Sequence, residues 1–185
     1  SFEKLNFKNR ILIKNVNFRY NDKIILEKIN LTLNKNSKIV LTGDIGSGKS
    51  TVLELIIGFI EPTSGQIYFD NYSYDYNNTR SILNCFSYVP QKSFLFNSSI
   101  RQNITLKQDN ENIDEKKLSQ VLKFCNLEEF VKQKEKNIFF ECGEFGNRLS
   151  GGQKQKIGIA RALYLDKDII VIDEATNAMD DKNEE

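Results

Sequence analysis

At 185 residues and a formal net charge of +1, the chain suits one domain with an inserted subdomain, and its charge balance gives no field that draws it to nucleic acid or a membrane surface. A composition 39% hydrophobic and 28% charged is that of a soluble globular protein. No stretch approaches the ~18 consecutive apolar residues of a spanning helix, and the opening SFEKLNFKNR lacks an apolar signal core, so secretion is not expected.

In chain order, residues 11–20 (ILIKNVNFRY) alternate through Ile11 and Ile13, slip phase once, then continue at Val16 and Phe18, which predicts a half-buried strand with a bulge. Residues 29–34 alternate again, 34–37 (NKNS) form a turn, and 38–42 (KIVLT) form an apolar run of the kind that makes a strand covered on both faces. Val52, Leu53, Leu55, Ile56 and Ile57 predict a mostly buried helix that stops at Gly58. QIYF is a short strand closed by a DN hairpin turn, and 85–89 (CFSYV) is another strand.

From about 97 to 150 the chain reads as helical and polar. Asn97 or Ser98 is expected to cap a short helix, and Asp114 a longer one that buries Leu118, Val121, Leu122 and Cys125. A helix runs from Ser150 to about Leu165, and 168–172 (DIIVI) form a second buried strand. Cys85, Cys125 and Cys142 are odd in number, far apart and without metal spacing, so buried reduced thiols are expected.

Three stretches carry chemistry. Gly43–Thr51 (GDIGSGKST) satisfies G-x-x-x-x-G-K-[ST] between an expected strand and helix, so the backbone can wrap a phosphate at a helix N-terminus. Gly43, Asp44, Gly46, Ser47, Gly48, Lys49, Ser50 and Thr51 form the candidate nucleotide loop; Lys49 supplies charge to the β- and γ-phosphates and Ser50 a hydroxyl to Mg²⁺. In IIVIDE, Asp173 and Glu174 lie where a buried strand leaves the sheet, a place strands also occupy with charged residues for solubility alone. Beside a phosphate loop, Asp173 suits Mg²⁺ and Glu174 a water that attacks the γ-phosphate. Finally, Ser150 and Gln153 form a capping box. That box does not explain the adjacent Gly151 and Gly152, which weaken a helix by roughly 1 kcal/mol each relative to Ala and make sense where something anionic must come close.

Together these motifs resemble the nucleotide-binding domains of ATP-binding cassette (ABC) transporters. Gly43–Thr51 is similar to their Walker A loop, Ile169–Glu174 to Walker B, and Leu149-Ser150-Gly151-Gly152-Gln153 to their signature motif, in the family's order across nearly the whole chain. Tyr20 then resembles the aromatic that stacks on adenine, Gln91 the Q-loop glutamine that senses Mg²⁺ and water and faces the membrane domain, and Asp180 the D-loop aspartate. ECGEFGNR resembles an exporter-type segment through Gly143, Glu144 and Gly146; Asn177 and Phe140 depart from the family's usual Ser and Thr.

The resemblance implies an α/β fold: a P-loop NTPase (RecA-like) core with an antiparallel β-subdomain and an inserted α-helical subdomain. It divides the chain at 1–92, 93–150 and 151–185. It implies ATP and Mg²⁺ as ligands, with Ser50, Gln91 and Asp173 at the metal, and Glu174, Lys49 and Gln91 in catalysis. The implied partners are a second nucleotide-binding domain, docked head to tail across Ser150, Gly151, Gly152, Gln153 and Asp180, and a transmembrane domain, with no nucleic acid. The implied place is the cytoplasmic side of the inner membrane. The chain has no histidine, whereas the family places a switch histidine after Walker B, so a piece of a longer exporter, weakly active by itself, is expected. A soluble ABC-type ATPase uncoupled from transport, or a non-hydrolysing regulatory cassette, are the alternatives.

Overall fold

A computed structural model describes residues 5–74, 78–108 and 111–173. They fall into two units, Ser1–Phe86 and Ser87–Glu185.

The first unit is built on a sheet of order β2-β1-β3-β4. Strand β1 (Arg10–Tyr20) pairs antiparallel with β2 (Lys23–Asn34), Ile11 facing Leu33 and Ile13 facing Leu31. The register shifts between Ile13 and Val16, where the sequence slips phase. Asn15 adopts φ 46° there, and the Asn30 side chain accepts its N–H at 3.0 Å, so the backbone group lost from the ladder is satisfied. The bulge returns Val16 and Phe18 to the buried face beside Ile11 and Ile13.

Strand β3 (Ser64–Phe69) pairs with β1 and turns through Asp70–Asn71 into β4 (Tyr72–Ser73). The Asp70 carboxylate accepts the N–H groups of Lys8, Asn9 and Arg10 at 2.7, 2.7 and 2.9 Å, tying the hairpin to the start of β1. Helix α1 (Lys49–Ile57) buries Leu55, Ile56 and Ile57 and ends on left-handed Gly58. A short α2 (Thr79–Leu83) follows.

Residues 38–42 are not a strand. Val40 is 83% and Ile39 45% exposed, and no strand among the described residues pairs with this segment. An apolar run sets the appetite for burial, but a strand also needs a neighbour for its N–H and C=O groups.

The second unit is mainly helical. Strand β5 (Phe86–Val89) pairs with β6 (Ile169–Ile172). Between them lie α3 (Ile100–Thr105), α4 (Glu115–Phe124), α5 (Glu128–Lys132), two 3₁₀ turns (Asn137–Phe139 and Glu144–Gly146) and α6 (Gly151–Leu165). In β6 only Val171 is buried, less than the apolar run suggests. Asp114 caps α4 as expected, its Oδ1 accepting the Lys117 N–H at 2.9 Å, and Leu118, Val121, Leu122 and Cys125 join the core. The cap of α3 is Ser99 rather than Asn97 or Ser98, because Gln102 three residues on closes a capping box with it.

Asn103, fully buried, organises this unit. Its Oδ1 accepts the Phe96 N–H at 2.8 Å, and its Nδ2 donates to the carbonyls of Phe96 and Ser99 at 3.1 Å each. Arg161 on α6 donates from Nε to the Asn103 carbonyl at 2.7 Å and from Nη1 to the Phe94 carbonyl at 3.0 Å. Asn103→Leu keeps the volume but orphans several buried polar groups. A loss of roughly 2–4 kcal/mol is expected in urea denaturation.

The three cysteines are free and buried, as expected. Burial pushes the thiols of Cys125 and Cys142 up to about 11. A raised thiol stays protonated as pH climbs, and the thiolate is the nucleophile. At pH 8 both are therefore expected to react with a thiol reagent at least about 100-fold more slowly in the folded than in the denatured chain, read by absorbance of the released chromophore.

Candidate nucleotide site

The glycine loop lies in the first unit. Gly43, Gly46 and Gly48 take φ of 150°, 80° and 89°, values that L side chains rarely adopt. Gly48 also lacks room: a β-carbon there would lie 2.9 Å from Leu26 Cδ2 on β2. The loop is closed by the Ser47 N–H to Asp44 carbonyl bond at 3.2 Å and by Lys49, whose ammonium donates to the carbonyls of Gly43 and Asp44 at 2.8 Å each. Helix α1 starts on Gly48 without a side-chain cap. Its first amides and the Lys49 charge thus occupy one end of one loop, which suits a phosphate. Asp44, Gly46 and Ser47 are exposed along the loop, and Ser50 and Thr51 begin the helix.

Tyr20 sits in the same unit at the closed end of the β1–β2 hairpin, paired with Lys23. Its ring is 51% exposed and braced edge-on by Phe18 at 4.8 Å. Phe18 pairs with Leu26, which abuts Gly48. The hairpin register therefore connects the exposed aromatic to the glycine loop.

In the second unit, β5 and β6 end together. The Asp173 N–H donates to the Val89 carbonyl at 2.9 Å, and the Tyr88 hydroxyl lies 3.4 Å from Asp173 Oδ2. Gln91, exposed, follows Val89 by two residues, so Asp173 and Gln91 leave the same strand ends. Ligands collect at such carboxyl ends in α/β sheets.

Ser150 caps α6 as the sequence predicts: its Oγ accepts the Gln153 N–H at 3.2 Å, and Gln153 Oε1 accepts the Ser150 N–H at 2.9 Å. Gly151 and Gly152 have ordinary helical φ, and a β-carbon on either would meet nothing within 4 Å. Packing within the described residues does not require these glycines; the surface they keep flat faces outward.

Glu174 and Asp180 lie outside the described residues. Among those described, no group of three or more His, Cys, Asp or Glu is gathered to hold a metal by protein ligands alone. Hard oxygens of the kind that suit Mg²⁺ are offered by the Ser50 hydroxyl in the first unit and, separately, by the Gln91 carboxamide and the Asp173 carboxylate in the second.

Sequence reasoning missed the contacts that hold Gln91 in place. Gln155 Nε2 donates to the Pro90 carbonyl at 3.4 Å, Ser93 Oγ donates to Gln155 Oε1 at 3.1 Å, and Gly158 packs against Ser93. The available signal was Gly158, a glycine inside a helix, whose cost of about 1 kcal/mol relative to Ala points to a close approach at that position.

The ABC transporter family model matches residues 26–177. The chain is 37% identical over 185 residues to the heterocyst differentiation ATP-binding protein HepA of Nostoc sp., covering 98% of this chain and 30% of that protein. It is 34% identical to a probable ABC transporter ATP-binding/permease protein of Haemophilus influenzae (95% of this chain, 32% of that protein) and 38% identical to a putative multidrug export ATP-binding/permease protein of Staphylococcus aureus (95% and 30%). Among solved structures, a bacterial Atm1-family ABC exporter with ATP bound matches with a TM-score of 0.88 at 30% identity, covering 98% of this chain and 32% of that one. The chain thus spans about a third or less of the length of these relatives. With its glycine loop, antiparallel sheet, helical insertion and capped signature helix in the family's order, this chain belongs to the ABC transporter family and has its P-loop NTPase fold.

Proposed function

We propose that this chain is the ATP-binding and hydrolysing cassette of an exporter. The observation that carries the reading is the Lys49 ammonium held at 2.8 Å from two loop carbonyls at the uncapped start of α1. ATP would lie with its phosphates on Gly43–Thr51 and its base on Tyr20. Ser50, Gln91 and Asp173 would hold Mg²⁺, which when bound would supply charge neutralisation to the phosphates. Phosphoryl transfer demands little covalent help from protein, so positioning and charge carry most of the rate. Lys49 contributes charge, Gln91 orients water, and Glu174 removes its proton.

The open space over Gly151 and Gly152 supports a second copy docking head to tail, so that Ser150 and Gly152 meet the nucleotide of the partner and Gln153 and Asp180 flank it. The membrane partner is supported by the ATP-binding/permease relatives and by a local surface. Phe94, Phe96 and Phe145 are 47, 50 and 69% exposed and stack edge-on, Phe94 lying 5.2 Å from Phe96 and 5.6 Å from Phe145. Phe145 holds φ 50°, strained for an aromatic residue. A cluster of exposed rings three residues past Gln91 suits an apolar anchor. Among the described residues no helix is long and apolar enough to cross a membrane. On this reading the transmembrane part would belong to a longer protein like the ATP-binding/permease relatives, with the cassette working on the cytoplasmic side of its membrane.

The test is ATP hydrolysis by the full-length protein in lipid, with and without Mg²⁺. Phosphate release that requires Mg²⁺ and rises more steeply than linearly with ATP, as two joined sites require, is expected. Tight ATP binding with no release overturns the hydrolytic reading in favour of a regulatory cassette.

A further inference from the structure

The signature helix also holds the loop that carries Gln91. Gln155 is 6% exposed, and its carboxamide reaches both flanks of Gln91: Nε2 to the Pro90 carbonyl at 3.4 Å and Oε1 to Ser93 Oγ at 3.1 Å. One turn on, Gly158 makes room for Ser93. A β-carbon there would lie 2.3 Å from Ser93 Oγ and 2.9 Å from Ser93 Cβ, closer than real β-carbons come. Gly158 takes ordinary helical φ, so close approach rather than backbone conformation explains it. These residues belong to the same α6 whose N-terminus is capped by Ser150. A helix transmits displacement along its axis with little give. Residues locked at 155 and 158 are therefore locked to 150–153.

We propose that Ser93, Gln155 and Gly158 are positioning residues for Gln91. They latch its loop to α6, so that Gln91 and the Ser150 end of the helix move as one body. The latch rests on the ATPase reading for its consequence but not for its existence. Its function is to make the metal-sensing glutamine and the surface offered to a second copy change position together.

The full-length protein tests this. Gly158→Ala forces Ser93 away and is expected to lower kcat roughly 5–10-fold, since displacements of an ångström are costly at such sites. KM for ATP is expected to rise by less than kcat falls, because Lys49 and Tyr20 stay in place and Gln91 is only one of three proposed metal donors. Amide exchange at 91–94 and at 150–153 is expected to accelerate together. Adding Ser93→Gly removes the collision and is expected to return kcat and exchange to the level of Ser93→Gly alone. Gln155→Leu, which adds no bulk, is expected to act in the same direction and serves if Gly158→Ala does not fold. The latch is overturned if Gly158→Ala and Gln155→Leu leave kcat and exchange at wild-type values, or if Ser93→Gly fails to relieve Gly158→Ala. If the wild-type protein does not hydrolyse ATP, the ATPase reading fails. Exchange then decides the latch: joint acceleration of both segments supports it, and acceleration of neither or of one alone overturns it.

Discussion

Lys49→Ala is expected to abolish measurable turnover and to weaken Mg-ATP binding by at least about 100-fold, with the fold intact. The ammonium does two things in the loop. Its bonds to the Gly43 and Asp44 carbonyls hold the ring of backbone in shape, and its charge is the only full positive charge inside the Gly43–Thr51 stretch. Removing even one neutral donor aimed at developing charge costs roughly 2.7–4 kcal/mol of transition-state stabilisation, and Lys49 carries a full charge. The residue is only partly buried and contributes nothing to the apolar core, so Tm is expected to move by no more than a few degrees. Lys49→Arg should not rescue: a planar fork cannot replace a compact ammonium between two carbonyls. Equilibrium binding of a fluorescent ATP analogue, alongside phosphate release, separates the outcomes. An alanine variant that binds within about 3-fold of wild type would remove the loop from the nucleotide site.

Much of this site is readable from sequence because its parts are local. The loop consensus, the Ser150–Gln153 box and the phase slip before Val16 each occupy a few consecutive residues, and local spacing fixes backbone geometry. The structure differs where the deciding partner is distant or outside the local pattern. Residues 38–42 carry the apolarity of a strand yet pair with none among the described residues. The cap of α3 moved by one or two positions because Gln102 selects Ser99. The arrangement around Gln91 depends on Ser93 meeting Gly158, 65 residues away, and no periodicity encodes such a pairing. Arg161 is similar: a lone arginine on a helix reads as surface charge, whereas here it is desolvated by burial, its pKa lowered by that burial, and it donates to carbonyls from two preceding segments.

Glu174→Gln in the full-length protein is expected to lower turnover about 10²–10⁴-fold while leaving ATP binding intact, the range for loss of a positioned general base. Glu174 follows Asp173, whose backbone is pinned to Val89 at the strand ends, but Glu174 itself lies outside the described residues. Its role is carried over from the ABC resemblance and tested by this variant. The amide keeps the shape and hydrogen-bonding reach of the carboxyl but cannot take a proton from water. If Glu174 is the base, nucleotide should be bound and not cleaved. Copies that close over ATP across Gly151 and Gly152 should then accumulate as a stable pair of cassettes, visible by light scattering or crosslinking in ATP and absent in ADP. Asp173→Asn should behave differently: the loss falls on Mg²⁺, so binding itself becomes weak and excess Mg²⁺ partly restores it. The contrast separates a proton acceptor from a metal ligand in adjacent carboxylates, which composition alone does not do. Unchanged turnover in Glu174→Gln assigns the proton to another acceptor, whereas lost turnover with lost binding makes Glu174 part of the metal site rather than the base.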